Sequence, residues 1–179
     1  YSLPRELIAY FPTESREEAR LMVLNRKENV VEHRVFRDIV SYLSKGDLLV
    51  LNDTKVIKAR LMGRKRGTGG RVEILVLHQL SDGRWKVVVS PSRRIHTGTV
   101  VEFEDGETCR IVERLEGSRR IVEFSVDDVH AYLRVRGRVP LPPYIKRESQ
   151  RLDEEMYQTV YARKEGAIAA PTAGLHFTR

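Results

Sequence analysis

Between Leu61 and Phe124 the chain breaks into short segments of alternating apolar and polar residues, too short and too closely spaced for helices. They run from Arg71 to Leu77, Trp85 to Val89, Thr99 to Phe103, Thr108 to Val112 and Arg119 to Phe124. A period of two turns one face of each segment toward a core and the other toward water, as in a half-buried strand. Asp82-Gly83 and Asp105-Gly106 are hairpin dipeptides, and Glu116-Gly117-Ser118 makes a longer tip. A basic, glycine-rich loop from Gly63 to Gly70 precedes the series. Five or six strands at this spacing predict a small antiparallel barrel, closed on itself so that no strand edge is left open. Ser125 is expected to cap a short helix over Val126, Val129 and Leu133, with Gly137 ending it.

The flanking residues have a different texture. Leu3 to Pro12 has helical capacity around Arg5 to Tyr10, bounded by prolines. Leu21 to Leu24 and Val30 to Val35 read as strands joined at Lys27-Glu28-Asn29. Phe36, Ile39, Val40 and Leu43 follow the spacing of an amphipathic helix, which Gly46 ends. Leu48 to Leu51 is wholly apolar, the pattern of a central strand, and delivers Asn52-Asp53-Thr54 to its C-terminal edge. Ligands bind at that edge in open α/β sheets, but the same three residue types also make a solvated turn on their own backbone.

Pro140 to Pro143 must be extended and presents Tyr144, Lys146 and Arg147. Asp153 is placed to cap a helix carrying Tyr157 and Tyr161, four apart on one face. Gly166 to Ala170 reads as a strand buried on both faces, ended by Pro171. Thr172, Ala173 and Gly174 then form a turn with little side-chain bulk, where backbone can approach a ligand. His176 follows, and Thr178 is an N-cap type. The predicted fold is therefore a mixed α/β domain of residues 1–60 and 140–179 with the barrel, 61–139, inserted into it.

Charge narrows the partners. A net +7 and a pI near 9.7 favour a polyanion such as RNA, although a surface of ion-pair networks has the same composition. Cys109 is the only cysteine, which excludes an internal disulfide and an iron–sulfur cluster held by this chain alone. No apolar run approaches the roughly 20 residues of a membrane span, and no signal-peptide pattern is present. The expectation is a cytoplasmic monomer with no membrane association and no metal.

Four stretches carry a resemblance. They are Leu51-Asn-Asp-Thr-Lys-Val-Ile-Lys-Ala-Arg-Leu61, Leu141-Pro-Pro-Tyr-Ile-Lys-Arg147, Tyr157-Gln-Thr-Val-Tyr-Ala162, and Ala170-Pro-Thr-Ala-Gly-Leu-His-Phe-Thr178. In this order they resemble the motifs of S-adenosylmethionine:tRNA ribosyltransferase-isomerases of queuosine biosynthesis. That family continues well past the last motif, so the chain resembles an N-terminal portion of a longer protein. The sequence departs from the family pattern at Lys55 and Lys58, which stand where arginine and proline are usual. Lysine at 55 keeps the charge but not a two-pronged hydrogen-bond geometry.

The resemblance implies that S-adenosylmethionine is consumed as ribosyl donor, with no metal. The ribosyl unit passes to the aminomethyl group of a 7-deazaguanine at the tRNA wobble position and rearranges to an epoxycyclopentanediol as adenine and methionine leave. The sulfonium acidifies the C5′ protons, so a base is needed, and His176 and Asp53 are both candidates. Arg60 or Arg147 would receive the substrate carboxylate. Tyr144, Tyr157 and Tyr161 would stack on adenine or face the sulfonium. Asn52, Thr54 and the turn Pro171, Thr172, Ala173, Gly174 would line the nucleoside site. On the RNA side, an anticodon arm needs cations for its phosphates. Arg64, Lys65, Arg66, Arg93 and Arg94 are candidates, Arg93-Arg94 resembling a recurrent basic pair of the family; Arg119-Arg120 and Arg134, Arg136 and Arg138 are further clusters.

Two rival readings follow from the same residues. A class I methyltransferase would show a glycine-rich loop directly after an early strand, whereas the only such loop here is basic and lies between barrel strands. A non-catalytic RNA-binding barrel accounts for the charge but leaves the four motifs, all outside the barrel, unexplained.

Overall fold

The computed structural model describes residues 2–179. In chain order its strands are β1 (Arg20–Asn25), β2 (Val30–Val35), β3 (Thr54–Val56), β4 (Arg60–Lys65), β5 (Arg71–Gln79), β6 (Trp85–Ser90), β7 (Val100–Glu102), β8 (Thr108–Arg114), β9 (Arg119–Phe124) and β10 (Lys164–Ala167). The α-helices are α1 (Val129–Arg136) and α2 (Arg151–Met156). The chain divides into two compact units, one of residues up to Val56 together with Leu141–Arg179, the other Ile57–Pro140. Among the described residues no helix is long and apolar enough to cross a membrane.

The second unit is the barrel that the alternation predicts. Its strands close in the order β4-β5-β6-β9-β8-β7, every pair antiparallel. Inward residues of successive strands (Leu61, Ile74, Val87, Val101, Ile111 and Val122 among them) form its buried core. β4 and β7 approach so closely that a Cβ on Gly63 would lie 2.6 Å from Val101 Cγ1, which is why glycine interrupts that strand.

Helix α1 plugs one end of the barrel with Val129 and Leu133. Asp128 rather than Ser125 caps it, its carboxylate accepting the Ala131 N–H at 2.9 Å. Gly137 does end α1, but for want of room and not for a left-handed turn. Its φ is −72°, and an added Cβ would fall 1.8 Å from the Lys58 carbonyl oxygen.

The first unit departs further from the sequence pattern. β1 and β2 form an isolated hairpin, with Asn29 in the left-handed region at the turn. Phe36–Tyr42 is a 3₁₀ helix; it buries Phe36 while Val40 and Leu43 stay exposed. Arg5–Leu7 is a single 3₁₀ turn. Leu48 to Leu51 is not a strand: Leu48 is 87% and Val50 81% exposed, and among the described residues no strand lies alongside to accept its backbone groups. The strand begins at Thr54 instead, where β3 pairs in parallel with β10. β10 in turn is mostly exposed, and of the Gly166 to Ala170 run only Ala170 is buried.

Helix α2 begins one residue past Gln150, so Asp153 is inside the first turn and not at the cap. Its carboxylate reaches back to accept the Gln150 N–H at 2.7 Å, the acidic half of a capping box. The helix ends at Met156, and Tyr157 and Tyr161 therefore do not share a helical face.

Candidate active site in the first unit

A cavity of about 470 Å³ opens in the first unit. That is within the size range of small-ligand pockets. Its floor and walls come from four separated stretches of chain: Ala9–Thr13, Arg16 with Glu18–Arg20, the Leu141–Arg147 segment with α2, and Leu175-His176. The lining is largely apolar and aromatic, with Tyr10, Phe11, Ile145, Met156 and Tyr157, and is punctuated by a few charged groups.

Two arginines hold these stretches together. Arg16 donates from Nη1 to the Gln158 and Leu175 carbonyls, both at 2.8 Å, and from Nη2 to the Glu155 carbonyl at 2.7 Å. One guanidinium so ties the end of α2 to the turn that carries His176. Partial burial lowers its pKa, a cost met by charge-assisted bonds to three carbonyls. Of its five N–H groups these bonds occupy three.

Arg147 pairs with Asp153 in a two-pronged contact, Nη1 to Oδ2 at 2.6 Å and Nη2 to Oδ1 at 2.7 Å. Its Nε donates to the Tyr10 carbonyl at 2.8 Å, and the guanidinium lies 4.5 Å over the Phe11 ring. A further bond from Nη1 goes to the Glu148 carbonyl. The hydrogen bonds from Arg147 hold the Asp153 carboxyl below the usual carboxylate range, against the opposing effect of burial. With four of five N–H groups engaged, Arg147 builds the wall and has little left for a substrate carboxylate.

His176 closes the 3₁₀ turn Thr172–His176 and packs against Phe36, ring centroids 5.2 Å apart, while the following Phe177 meets Phe36 edge-on at 4.9 Å. The turn is fixed from behind by Gly174, whose missing side chain admits Tyr161 and Thr159. The low bulk expected to admit a ligand thus admits a tyrosine at this position. Tyr157 lines the cavity, and burial, with Tyr144 nearby, raises its phenol pKa.

Of the residues expected at the site, the cavity wall brings together His176, Arg147 and Tyr157. Asp53 is in the same unit but not in that wall: its carbonyl accepts the Arg163 and Lys164 N–H groups, and its carboxylate lies 3.7 Å from Arg163 Nε. Asn52 Oδ1 accepts the Thr54 N–H at 3.0 Å, the Asx turn that was the alternative reading of this segment. Pro171, Thr172 and Ala173 precede the cavity wall with Thr172 and Ala173 exposed, and Tyr144 is 54% exposed. Arg60 belongs to the barrel unit, its Nε 3.2 Å from Glu73 Oε1.

The basic candidates also separate. Arg64 donates to the Gly69 carbonyl, Lys65 to the Arg94 carbonyl at 3.2 Å, and Arg66 pairs with Glu102. Arg136 pairs with Asp105 at 2.9 Å. Arg93 and Arg94 are exposed on a turn, with no side-chain partner among the described residues. Arg120 is a correction: counted with Arg119 as a basic surface cluster, it is fully buried. Its alternation with the inward Val122 was a sign that this position faces the barrel interior. Arg16 carried no comparable signal, being one charge in the polar run Ser15-Arg16-Glu17-Glu18.

A family model described as queuosine biosynthesis protein matches residues 1–179. The chain is 45% identical over 179 residues to an S-adenosylmethionine:tRNA ribosyltransferase-isomerase of Sulfurihydrogenibium sp., covering 100% of this chain and 53% of that protein. Proteins of the same name from Halothermothrix orenii and Thermosipho africanus are 50% and 51% identical, each match covering 99% of this chain and 52% of the relative. A crystal structure of S-adenosylmethionine tRNA ribosyltransferase from Thermotoga maritima is 40% identical, covering 82% of this chain and 51% of that one at a TM-score of 0.40. The chain spans about half the length of the curated relatives it matches.

Proposed function

Because the chain belongs to the queuosine biosynthesis protein family, we propose that the full-length protein transfers the ribosyl unit of S-adenosylmethionine to a 7-aminomethyl-7-deazaguanine at the tRNA wobble position. The unit isomerises to an epoxycyclopentanediol, giving epoxyqueuosine in the tRNA with release of adenine and methionine. The observation that carries this reading is the match along the whole chain to relatives named for that activity. The protein works in the cytoplasm as a monomer, and its nucleic-acid partner is the anticodon arm. The two rival readings, methyltransferase and non-catalytic barrel, lack that support.

In this proposal the first-unit cavity takes the sulfonium nucleoside and the barrel contributes cations for the RNA. The cavity's aromatic wall, with Phe11 and Tyr157, suits an adenine face and a neighbouring sulfonium. The substrate carboxylate goes to Arg16, which keeps two N–H groups after its three carbonyl contacts, in preference to Arg147 or Arg60. His176, in the same wall, is the base for the C5′ proton that the sulfonium acidifies; its removal starts the loss of adenine. Asp53 lies outside the wall and serves β3–β10 pairing through its carbonyl.

The test is product analysis of the full-length protein incubated with S-adenosylmethionine and precursor-containing tRNA. Adenine and methionine in equal amounts support transfer. S-adenosylhomocysteine would replace the proposal with methylation, and tRNA binding without either product would reduce the protein to a binding module.

A further inference from the structure

The barrel interior is apolar except at one place. Arg120, on β9, is 0% exposed, and among the described residues no carboxylate meets its guanidinium. Four carbonyls do. Nε donates to Ile95 at 3.1 Å, Nη2 to Ser92 at 2.9 Å, and Nη1 to Gly117 and Arg119 at 3.1 and 2.7 Å. Burying a cation without a counter-ion is costly, and an apolar side chain of similar volume would fill a barrel core more cheaply. The contacts show what the arginine does instead.

Two of the four bonds go to the ends of one turn. Ser92 and Ile95 bracket Arg93 and Arg94; the Ile95 N–H closes the turn on the Ser92 carbonyl at 3.3 Å, and the Ile95 side chain is a buried peg at 2% exposure. The carbonyl between them, that of Arg94, accepts from Lys65 Nζ. Three of the turn's carbonyls are thus held by cationic side chains from the barrel, while the side chains of Arg93 and Arg94 are exposed and uncommitted. The neighbouring cations Arg64, on β4, and Arg66, just past its end, are already engaged with protein partners.

We infer that Arg120 is a positioning residue that clamps the Ser92–Ile95 turn onto the barrel, so that Arg93 and Arg94 stand pre-ordered as a paired grip for RNA phosphates. This rests on the tRNA reading proposed above and adds to it the device that sets its RNA contact. Ordering the turn before binding removes an entropic cost from the encounter. The clamp's own charge, not neutralised by any carboxylate, adds to the positive field at the turn. Lysine cannot replace it, since one ammonium point cannot reach carbonyls on two sides as a planar fork does.

The experiment measures affinity of the full-length protein for a labelled tRNA transcript across a salt series. Arg93→Ala with Arg94→Ala should flatten the dependence of log affinity on log salt by about 1.5 to 2. Arg120→Lys, which retains the charge, should weaken binding about five- to tenfold and speed amide exchange at residues 92–96. In the Arg93→Ala/Arg94→Ala background the same Arg120→Lys change should cost less than about twofold, because the two act through one contact. Equal costs in both backgrounds, or an unchanged salt slope without Arg93 and Arg94, would overturn the inference while leaving tRNA binding intact. Absence of any tRNA binding by the unaltered protein would instead remove the functional reading beneath it. Should Arg120→Lys fail to fold, Lys65→Met loosens the same turn from the surface. Its coupling to Arg93→Ala/Arg94→Ala then decides: non-additive losses support the clamp and additive ones sink it.

Discussion

Gly174 and Tyr161 interlock: a Cβ built on the glycine would lie 2.3 Å from the tyrosine hydroxyl oxygen and 2.9 Å from Thr159 Cγ2. Gly174 has no left-handed backbone to protect, so only the space matters. Gly174→Ala should destabilise the protein by about 1–3 kcal/mol, since the ring, the turn or both must move. Tyr161→Phe in the same chain removes the nearest atom and should recover part of the loss, while Thr159 keeps the rest. Denaturant unfolding of the two variants measures both effects; equal stability of Gly174→Ala and the parent would mean that the turn is not held by this contact.

Arg147 and Asp153 make a second testable pair, because both are largely buried, with side-chain exposures of 15% and 5%. Asp153→Asn leaves Arg147 without its counter-ion and should cost about 3 kcal/mol at neutral pH. The pH dependence has a definite sign. The Asp153 carboxyl is held low in the folded state, by Arg147 first and by the Gln150 N–H as well. Its contribution is therefore complete above the unfolded carboxylate value of ~3.9 and is lost as pH falls through the lower folded value. The stability gap between the parent and Asp153→Asn, measured in denaturant, should be constant from pH 7 to about 5 and narrow below pH ~4. A gap that widens in acid would reverse the assignment.

The contrast between the two units explains what could be read from residues alone. The barrel was legible because its information is local: period-two alternation and Asp-Gly turns act within a few residues. The Gly137 stop was foreseen for the wrong reason, its need for room against Lys58 being non-local. Arg120 breaks the rule that charge marks the surface: it shares the inward parity of Val122 and is buried. In the first unit the patterns at Leu48 to Leu51 and at Val40 and Leu43 describe faces that need a partner, and among the described residues none covers them. An apolar run does not form a strand without a neighbour to take its hydrogen bonds. The cavity is not encoded locally for a related reason. It depends on Arg16 reaching across more than a hundred residues of sequence to the Gln158 and Leu175 carbonyls, and no local pattern encodes such a contact.

Cys109 gives a simple probe of the barrel's integrity. It is 0% exposed, and burial pushes its thiol pKa up, so both access and thiolate are denied to a reagent. The native protein should not react with a thiol-specific chromogenic disulfide over the time in which the unfolded chain titrates its one thiol. Reaction in native buffer at the unfolded rate would show that the barrel opens readily.

The sharpest division in the candidate site is between His176 and Asp53, which the sequence left as equal candidates for the base. His176 shares a cavity wall with Arg16, Arg147 and Tyr157, whereas Asp53 is occupied at the β3–β10 junction. In the full-length protein, His176→Ala should lower adenine release from S-adenosylmethionine at least about tenfold, the usual scale for losing a general base. Binding of tRNA should change little. Asp53→Asn keeps the backbone carbonyl that anchors Arg163 and Lys164, so its adenine release should stay within about threefold of the parent. Single-turnover measurement of adenine with labelled cofactor separates this chemistry from slow product release. If Asp53→Asn abolishes adenine formation while His176→Ala turns over normally, the proton goes to the carboxylate and the first-unit cavity loses its catalytic role.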